Sequence, residues 1–151
     1  MTEIKAINTF YDGHKFRSRL EARWAVFFKN SNIKYEYEAE GFNFDGINYL
    51  PDFVFHDFYG YETVYGEVKP KEYKHTTGDC ELDKYELFCL YSDCPVIELF
   101  GNPEIKEFNV SWPMGWNEFY GTGFQFGINE LQRIAIKKAN EARFEFGETP
   151  K

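Results

Sequence analysis

The chain has 151 residues, the length of one domain that can bury a sizeable core, so we expect a single domain over residues 1–151. Hydrophobic residues make up an ordinary 43%, and no apolar run approaches the ~20 residues of a membrane-spanning helix, which argues against a membrane protein. The formal net charge of −8 opposes nucleic-acid binding. The charge is unevenly distributed, however. Residues 1–35 hold seven basic and three acidic residues, whereas residues 36–66 hold seven acids and no lysine or arginine.

The cysteines indicate a reducing compartment. Cys80, Cys89 and Cys94 are odd in number and lack the paired spacing of zinc sites. The first residues show neither a signal-peptide nor a transit-peptide pattern. We therefore expect reduced thiols and a cytoplasmic protein.

The first predicted helix begins near residue 19. Ser18 is a suitable N-cap, and Glu21 follows at the spacing of a capping box, before the run LEARWAVFFKN. Apolar residues recur at helical spacing, at Leu20, Trp24, Phe27 and Phe28. Glu21 lies one step off this stripe, so we expect it at the edge where the helix meets a sheet, with helix capping as its alternative role.

Strands are predicted next along the chain. Residues 35–38 alternate between aromatic and acidic side chains, as a half-buried strand does. Two β runs at about 49–56 and 62–69, separated by a turn at 57–60, predict an antiparallel hairpin. A helix from Glu81 to about Tyr91 then leads to a strand at 95–100, and such a helical crossover predicts that this strand is parallel to 62–69.

The last part of the chain is less regular. Residues 102–127 are rich in aromatic residues and glycine with weak periodicity, and we predict a loop region there. A final helix is predicted over about 128–146, with Asn129 as its cap. One side of it is predicted to carry Leu131, Ile134, Ala135, Lys138, Ala139 and Ala142.

Two acids and a lysine are predicted to meet at the ends of the hairpin strands. Asp52 opens one β run, and Glu67 and Lys69 end the next. Alternate side chains of a strand share a face, so Glu67 and Lys69 project together while Val68 points into the core. Because an isolated buried charge is costly, such a cluster usually persists where a cation or a phosphate completes it. The pattern is typical of a hydrolytic metal site.

Four blocks occur in order: FRSRLEARW at 16–24, IKYEYEAEGF at 33–42, YLPDFVF at 49–55 and YGEVKPK at 65–71. Over residues 10–71 the chain resembles the PD-(D/E)XK nucleases, and among them the phage endonuclease I type of Holliday junction resolvase. The resemblance implies an α/β restriction-endonuclease-like core over about residues 10–101, with a mixed sheet flanked by helices. It further implies a metal-dependent endonuclease of phage or mobile-element origin that hydrolyses DNA in the host cytosol.

The resemblance also implies roles for individual residues. Mg²⁺, replaceable by Mn²⁺, would be held by Glu21, Asp52, Glu67 and the carbonyl of Val68. Asp52 and Glu67 suit Mg²⁺ on chemical grounds as well, because this ion prefers one or two carboxylates plus water. Glu21 would support a second metal or orient its waters. Lys69 would position or deprotonate the attacking water and stabilise the anionic transition state, with pairing to Glu67 on an edge strand as its alternative.

Basic residues flank the predicted site. Arg17, Arg19 and Lys71 are our candidates for holding the phosphates beside the scissile one, with ordinary surface positions as the alternative. Glu38 belongs either to the outer shell of a metal or to a solvated strand face.

A second class of function competes with the nuclease. The chain lacks the lysine-rich C-terminal tail of the resolvase, so selectivity for branched DNA and a homodimer stay open. Acidic charge and aromatic residues favour a non-catalytic protein of the same fold, which would act on a protein partner as a phage anti-defence or inhibitory factor. The intact set of Glu21, Asp52, Glu67 and Lys69 favours the enzyme.

Overall fold

The protein is an α/β fold built on a six-stranded mixed sheet with the strand order β10-β9-β8-β7-β6-β3. A computed structural model describes residues 8–58, 60–71, 83–104, 107–111, 123–125 and 130–142. The strands are β1 Thr9–Tyr11, β2 His14–Phe16, β3 Tyr35–Tyr37, β4 Phe42–Phe44, β5 Ile47–Tyr49, β6 Phe53–Phe58, β7 Tyr61–Lys69, β8 Val96–Phe100, β9 Glu107–Ser111 and β10 Gly123–Gln125. The helices are α1 Arg19–Asn30, α2 Lys84–Ser92 and α3 Glu130–Glu141. Across these ranges, no helix is both long enough and apolar enough to cross a membrane.

The hairpin β6–β7 and the parallel pair β7–β8 form the centre of the sheet, as the sequence predicts. Phe53 pairs with Gly66 across the antiparallel hairpin, and Glu67 pairs with Glu98 across the parallel pair. A Cβ at Gly66 would lie 3.0 Å from a ring carbon of Phe55, so this glycine allows the ring to lie against β7. The strand that carries Glu67 and Lys69 is therefore interior to the sheet, so the edge position in the alternative for Lys69 is wrong, although the predicted pairing with Glu67 is present.

Two cores cover the two faces of the sheet. Helices α1 and α3 pack on one face, where Trp24 and Phe28 of α1 are fully buried. The Phe28 ring meets Phe55 edge-to-face at 4.8 Å between ring centroids. On the other face, α2 and the β4–β5 hairpin form a second core around Phe88. The β6–β7 hairpin thus lies between two packed layers.

Helix α1 begins as the sequence predicts. Ser18 has an extended backbone, and its hydroxyl accepts a hydrogen bond of 3.1 Å from the amide of Glu21. Trp24 donates its indole N–H to the carbonyl of Gly101 at 2.8 Å, which ties α1 to the end of β8. Glu21 therefore has a fixed position at the rim of the sheet.

The structure corrects three predictions of secondary structure. The predicted loop region 102–127 contains β9 and β10, because β8 offers an edge on which β9 pairs, with Ile97 opposite Val110. Helix α2 begins at Lys84 rather than near residue 81, since Asp83 has an extended backbone and its amide binds the Glu86 carboxylate. Helix α3 ends at Glu141 rather than near residue 146.

The buried face of α3 also differs from the predicted one. Leu131 and Ile134 are 41% and 44% exposed, and Lys138 is exposed too. Ala135, Ala139 and Ala142 are buried against α1, as predicted. Small side chains permit close helix packing, so the alanines determine which face of α3 is buried, while Leu131 and Ile134 stay outside. The predicted cap Asn129 and the helix start at 128 lie outside the described residues.

Candidate metal centre

A cleft of about 670 Å³ opens where α1 begins, β6 begins and β7 ends. Its walls contain all four residues that the sequence predicts to be catalytic, namely Glu21, Asp52, Glu67 and Lys69. Residues distant in sequence come together here because the hairpin brings the start of β6 beside the end of β7, and α1 crosses that same end of the sheet.

Asp52 lies at the centre of the cleft and is only 3% exposed. One carboxylate oxygen, Oδ2, accepts a hydrogen bond of 2.8 Å from the backbone amide of Val68. The other, Oδ1, accepts one of 2.8 Å from the guanidinium of Arg17. The carboxylate is thereby fixed between β7 and the segment that precedes α1. The role of the Val68 carbonyl as a metal ligand stays a prediction.

A third acid joins Glu21 and Asp52. The carboxylates of Glu21, Glu38 and Asp52 each place one oxygen within 4.8 Å of the other two. Glu38 has a left-handed backbone with φ of 46°, and its amide donates to the carbonyl of Asp52 at 3.0 Å. The Tyr37 hydroxyl donates to Glu21, and the Arg17 guanidinium contacts Glu38. Glu38 thus belongs to the site rather than to a solvated strand face.

Glu67 and Lys69 form the other side of the site. The Nζ atom of Lys69 lies 3.1 Å from Oε1 of Glu67. The Tyr49 hydroxyl donates to Oε2 of Glu67 at 2.5 Å. Next to them on β8, Glu98 accepts a hydrogen bond of 2.9 Å from the Tyr85 hydroxyl. Glu67 is therefore held in one orientation by a lysine of its own strand and a tyrosine of β5.

The acids raise one another's proton affinity. Burial raises the pKa of Asp52 to about 8, with further contributions from the charges of Glu67 and Glu21, and the Val68 amide and Arg17 only partly oppose this. Burial also raises the pKa of Glu21, against the hydrogen bond from Tyr37. Asp52 therefore holds its proton more tightly than an isolated aspartate, and a bound cation would favour its ionised form.

Of the three predicted phosphate-binding residues, one lines the cleft and two do not. Arg17 lines the cleft, but its guanidinium pairs with Asp52 and Glu38. Arg19 is the first residue of α1 and Lys71 follows β7, and neither is among the residues that line the cleft. Their contact with DNA stays a prediction. Lys84, at the start of α2, lines the cleft instead.

Sequence reasoning missed Tyr49 and Lys84, and left Glu38 undecided. Tyr49 reaches Glu67 because the short β4–β5 hairpin packs against α2, and Lys84 reaches the cleft because α2 packs on the same face. Neither packing arrangement has a local sequence signal. The alternation at 35–38 does mark Tyr37 and Glu38 as neighbours on opposite sides of a strand, but not the left-handed turn that brings Glu38 to Asp52.

Comparisons of the chain with protein-family models, with curated proteins and with solved structures find no match. Assignment of a function therefore depends on the chemistry of the cleft, together with the sequence motifs that its residues belong to.

Proposed function

We propose that this protein is a metal-dependent nuclease that hydrolyses phosphodiester bonds in DNA, with a core of the PD-(D/E)XK type. One observation carries the proposal: buried Asp52 shares a cleft with Glu21 and Glu67, whose charges both act on it, and the ammonium of Lys69 lies 3.1 Å from Glu67. Buried, ionised acids at these positions lower the stability of the fold unless a positive charge neutralises them. Their grouping in a cleft points to a ligand that bears positive charge.

The donor set fits a hard divalent cation. All candidate side-chain ligands are carboxylates, which Mg²⁺ and Mn²⁺ prefer over the nitrogen and sulfur ligands typical of zinc. Asp52 and Glu67 would hold the ion, and Glu21 would orient its waters or support a second ion. A divalent ion bound there would polarise a phosphate oxygen and lower the pKa of a bound water.

The remaining groups of the cleft suit phosphoryl chemistry. Lys69 presents its ammonium beside Glu67, where it would orient the attacking water and stabilise charge that develops on the phosphate oxygens. The hydrogen bond from Tyr49 keeps Glu67 from rotating away. Arg17 balances the charge of Asp52 and Glu38 while no substrate is bound.

The order of elements supports the proposed family. The chain supplies in turn a helix with Glu21, a hairpin that carries Asp52 and then Glu67-Val68-Lys69, a crossover helix and a parallel strand. This is the arrangement that the motif resemblance implies. DNA as the substrate follows from the same resemblance, and the basic residues Arg17, Lys69 and Lys84 in the cleft are compatible with a polyanion.

The proposal is tested by incubating the purified protein with linear, nicked, branched and single-stranded DNA in Mg²⁺, Mn²⁺ or EDTA. We expect cleavage of at least one substrate with metal and none with EDTA. Intact DNA in every mixture across pH 6–9 would refute the nuclease. A protein that neither cleaves nor binds DNA would support the alternative, a non-catalytic member of the fold that binds another protein through its acidic surface.

A further inference from the structure

We propose that Lys84 forms a phosphate-binding subsite, which holds a phosphate of the DNA strand next to the one under attack at Asp52 and Glu67. The inference rests on the proposed nuclease function and adds a substrate contact to it. Lys84 is the first residue of α2, its side chain is exposed, and it lines the same cleft as the acids.

The other basic residues of the cleft are already engaged. Among the described residues that line it, the lysines and arginines are Arg17, Lys69 and Lys84. Arg17 pairs with Asp52, and Lys69 pairs with Glu67. Lys84 has no carboxylate within 4 Å in the part of the chain that the structure describes. Of these three cations, Lys84 is therefore the one that can bind a substrate anion without first breaking an ion pair.

The wall around Lys84 faces the wall that carries Glu21. Helix α2 and the β4–β5 hairpin pack on the opposite face of the sheet from α1, so the two walls lie on opposite sides of the cleft. Asn48 on β5 shares the α2 wall, and its side-chain oxygen accepts a hydrogen bond of 2.7 Å from Asn43. Because that oxygen is taken by Asn43, the Asn48 side chain has its amide hydrogens left as donors.

The acid nearest in sequence, Asp83, also lines the cleft but forms no ion pair with Lys84 within 4 Å. Asp83 is buried at the N-cap of α2, where its backbone amide binds the Glu86 carboxylate. Buried acids at a helix N-terminus are stabilised by the helix itself, whereas the ammonium of Lys84 extends into solvent. The cleft volume of about 670 Å³ lies in the range of sites that hold small ligands, which is enough for a nucleotide unit.

The test measures DNA affinity with Ca²⁺ in place of Mg²⁺, so that binding is separated from cleavage. Wild type, Lys84→Gln and Lys84→Arg are titrated with a short duplex and a branched DNA at several salt concentrations. Lys137→Gln is the matched control, because Lys137 is 75% exposed on α3 and lies outside the cleft lining. Melting with added Ca²⁺ verifies that each variant is folded and retains its metal site.

We expect Lys84→Gln to weaken DNA binding about tenfold, the scale of one hydrogen bond to a charged group. It should also reduce the slope of log affinity against log salt by about one, whereas Lys84→Arg retains most of the binding. Equal affinities and slopes for Lys84→Gln and Lys137→Gln, with wild type bound to DNA, would overturn this subsite alone. A wild type that binds no DNA under any condition would overturn the nuclease proposal as well.

Discussion

Substitution of Asp52 by asparagine tests the electrostatics of the cleft without any substrate. The pKa of Asp52 is raised to about 8 in the folded protein, whereas an aspartate in the unfolded chain titrates near ~3.9. Between these values the folded protein retains a proton that the unfolded chain has released. Stability that is present at low pH is therefore lost as pH rises through this window, by up to about 1.4 kcal/mol per pH unit for one proton.

Asparagine has nearly the shape of aspartate but does not ionise. From pH 5 to pH 7 we expect the wild type to lose roughly 3 kcal/mol more of its unfolding free energy than Asp52→Asn loses. Urea unfolding in EDTA at pH 5, 6 and 7 measures this difference. Asp93→Asn is the matched control, because Asp93 is exposed at the left-handed C-cap of α2, a backbone that asparagine also adopts.

The same variants are then unfolded with Mn²⁺ to measure how much the metal stabilises each one. At pH 7, Mn²⁺ at about 100 times its Kd should stabilise the wild type and Asp93→Asn by about 2.7 kcal/mol, and Asp52→Asn far less. Equal pH slopes for the wild type and Asp52→Asn would show that Asp52 is ionised and compensated in the folded protein. An equal metal shift in Asp52→Asn would place the metal elsewhere. Either result refutes the reasoning about this carboxylate.

Three further substitutions test neighbouring groups. Lys69→Ala should retain binding of metal and DNA but slow single-turnover cleavage by about 10² or more, and an unchanged rate would exclude a catalytic role. Tyr49→Phe removes the hydrogen bond to Glu67 and should slow cleavage about tenfold. Tyr91→Phe, at an exposed tyrosine of α2, should have no effect, and equal rates for the two variants would contradict the positioning role. Arg17→Gln should lower the unfolding free energy in EDTA by about 1–3 kcal/mol, because it removes the ion pairs with Glu38 and Asp52, and Mn²⁺ should restore part of this stability. An unchanged unfolding curve would show that these ion pairs contribute nothing to stability.

The central part of the fold follows from local sequence signals. Ser18 and the apolar stripe that contains Trp24 predict α1, and the two β runs separated by turn residues predict the β6–β7 hairpin. The crossover rule then predicts that β8 is parallel to β7. Strand periodicity alone places Glu67 and Lys69 on one face, and the two are in contact.

Elements whose position depends on partners distant in sequence were not predictable in this way. β10 has three residues, too few to show a period, and it pairs with β9, which in turn pairs with the open edge of β8. The buried face of α3 is chosen by its fit to α1 rather than by the hydrophobicity of Leu131 and Ile134. Glu38 and Lys84 reach the site through a backbone turn and a helix position that neighbouring residues do not specify.

The most direct test of the central claim is single-turnover cleavage of labelled branched and linear DNA in Mg²⁺ by wild type, Asp52→Asn and Asp93→Asn at equal concentration. We predict that wild type and Asp93→Asn cut the same substrate at equal rates, that EDTA stops both, and that folded Asp52→Asn is slower by at least about 10². Cleavage by Asp52→Asn at the wild-type rate would contradict the assignment of phosphodiester hydrolysis to this cleft.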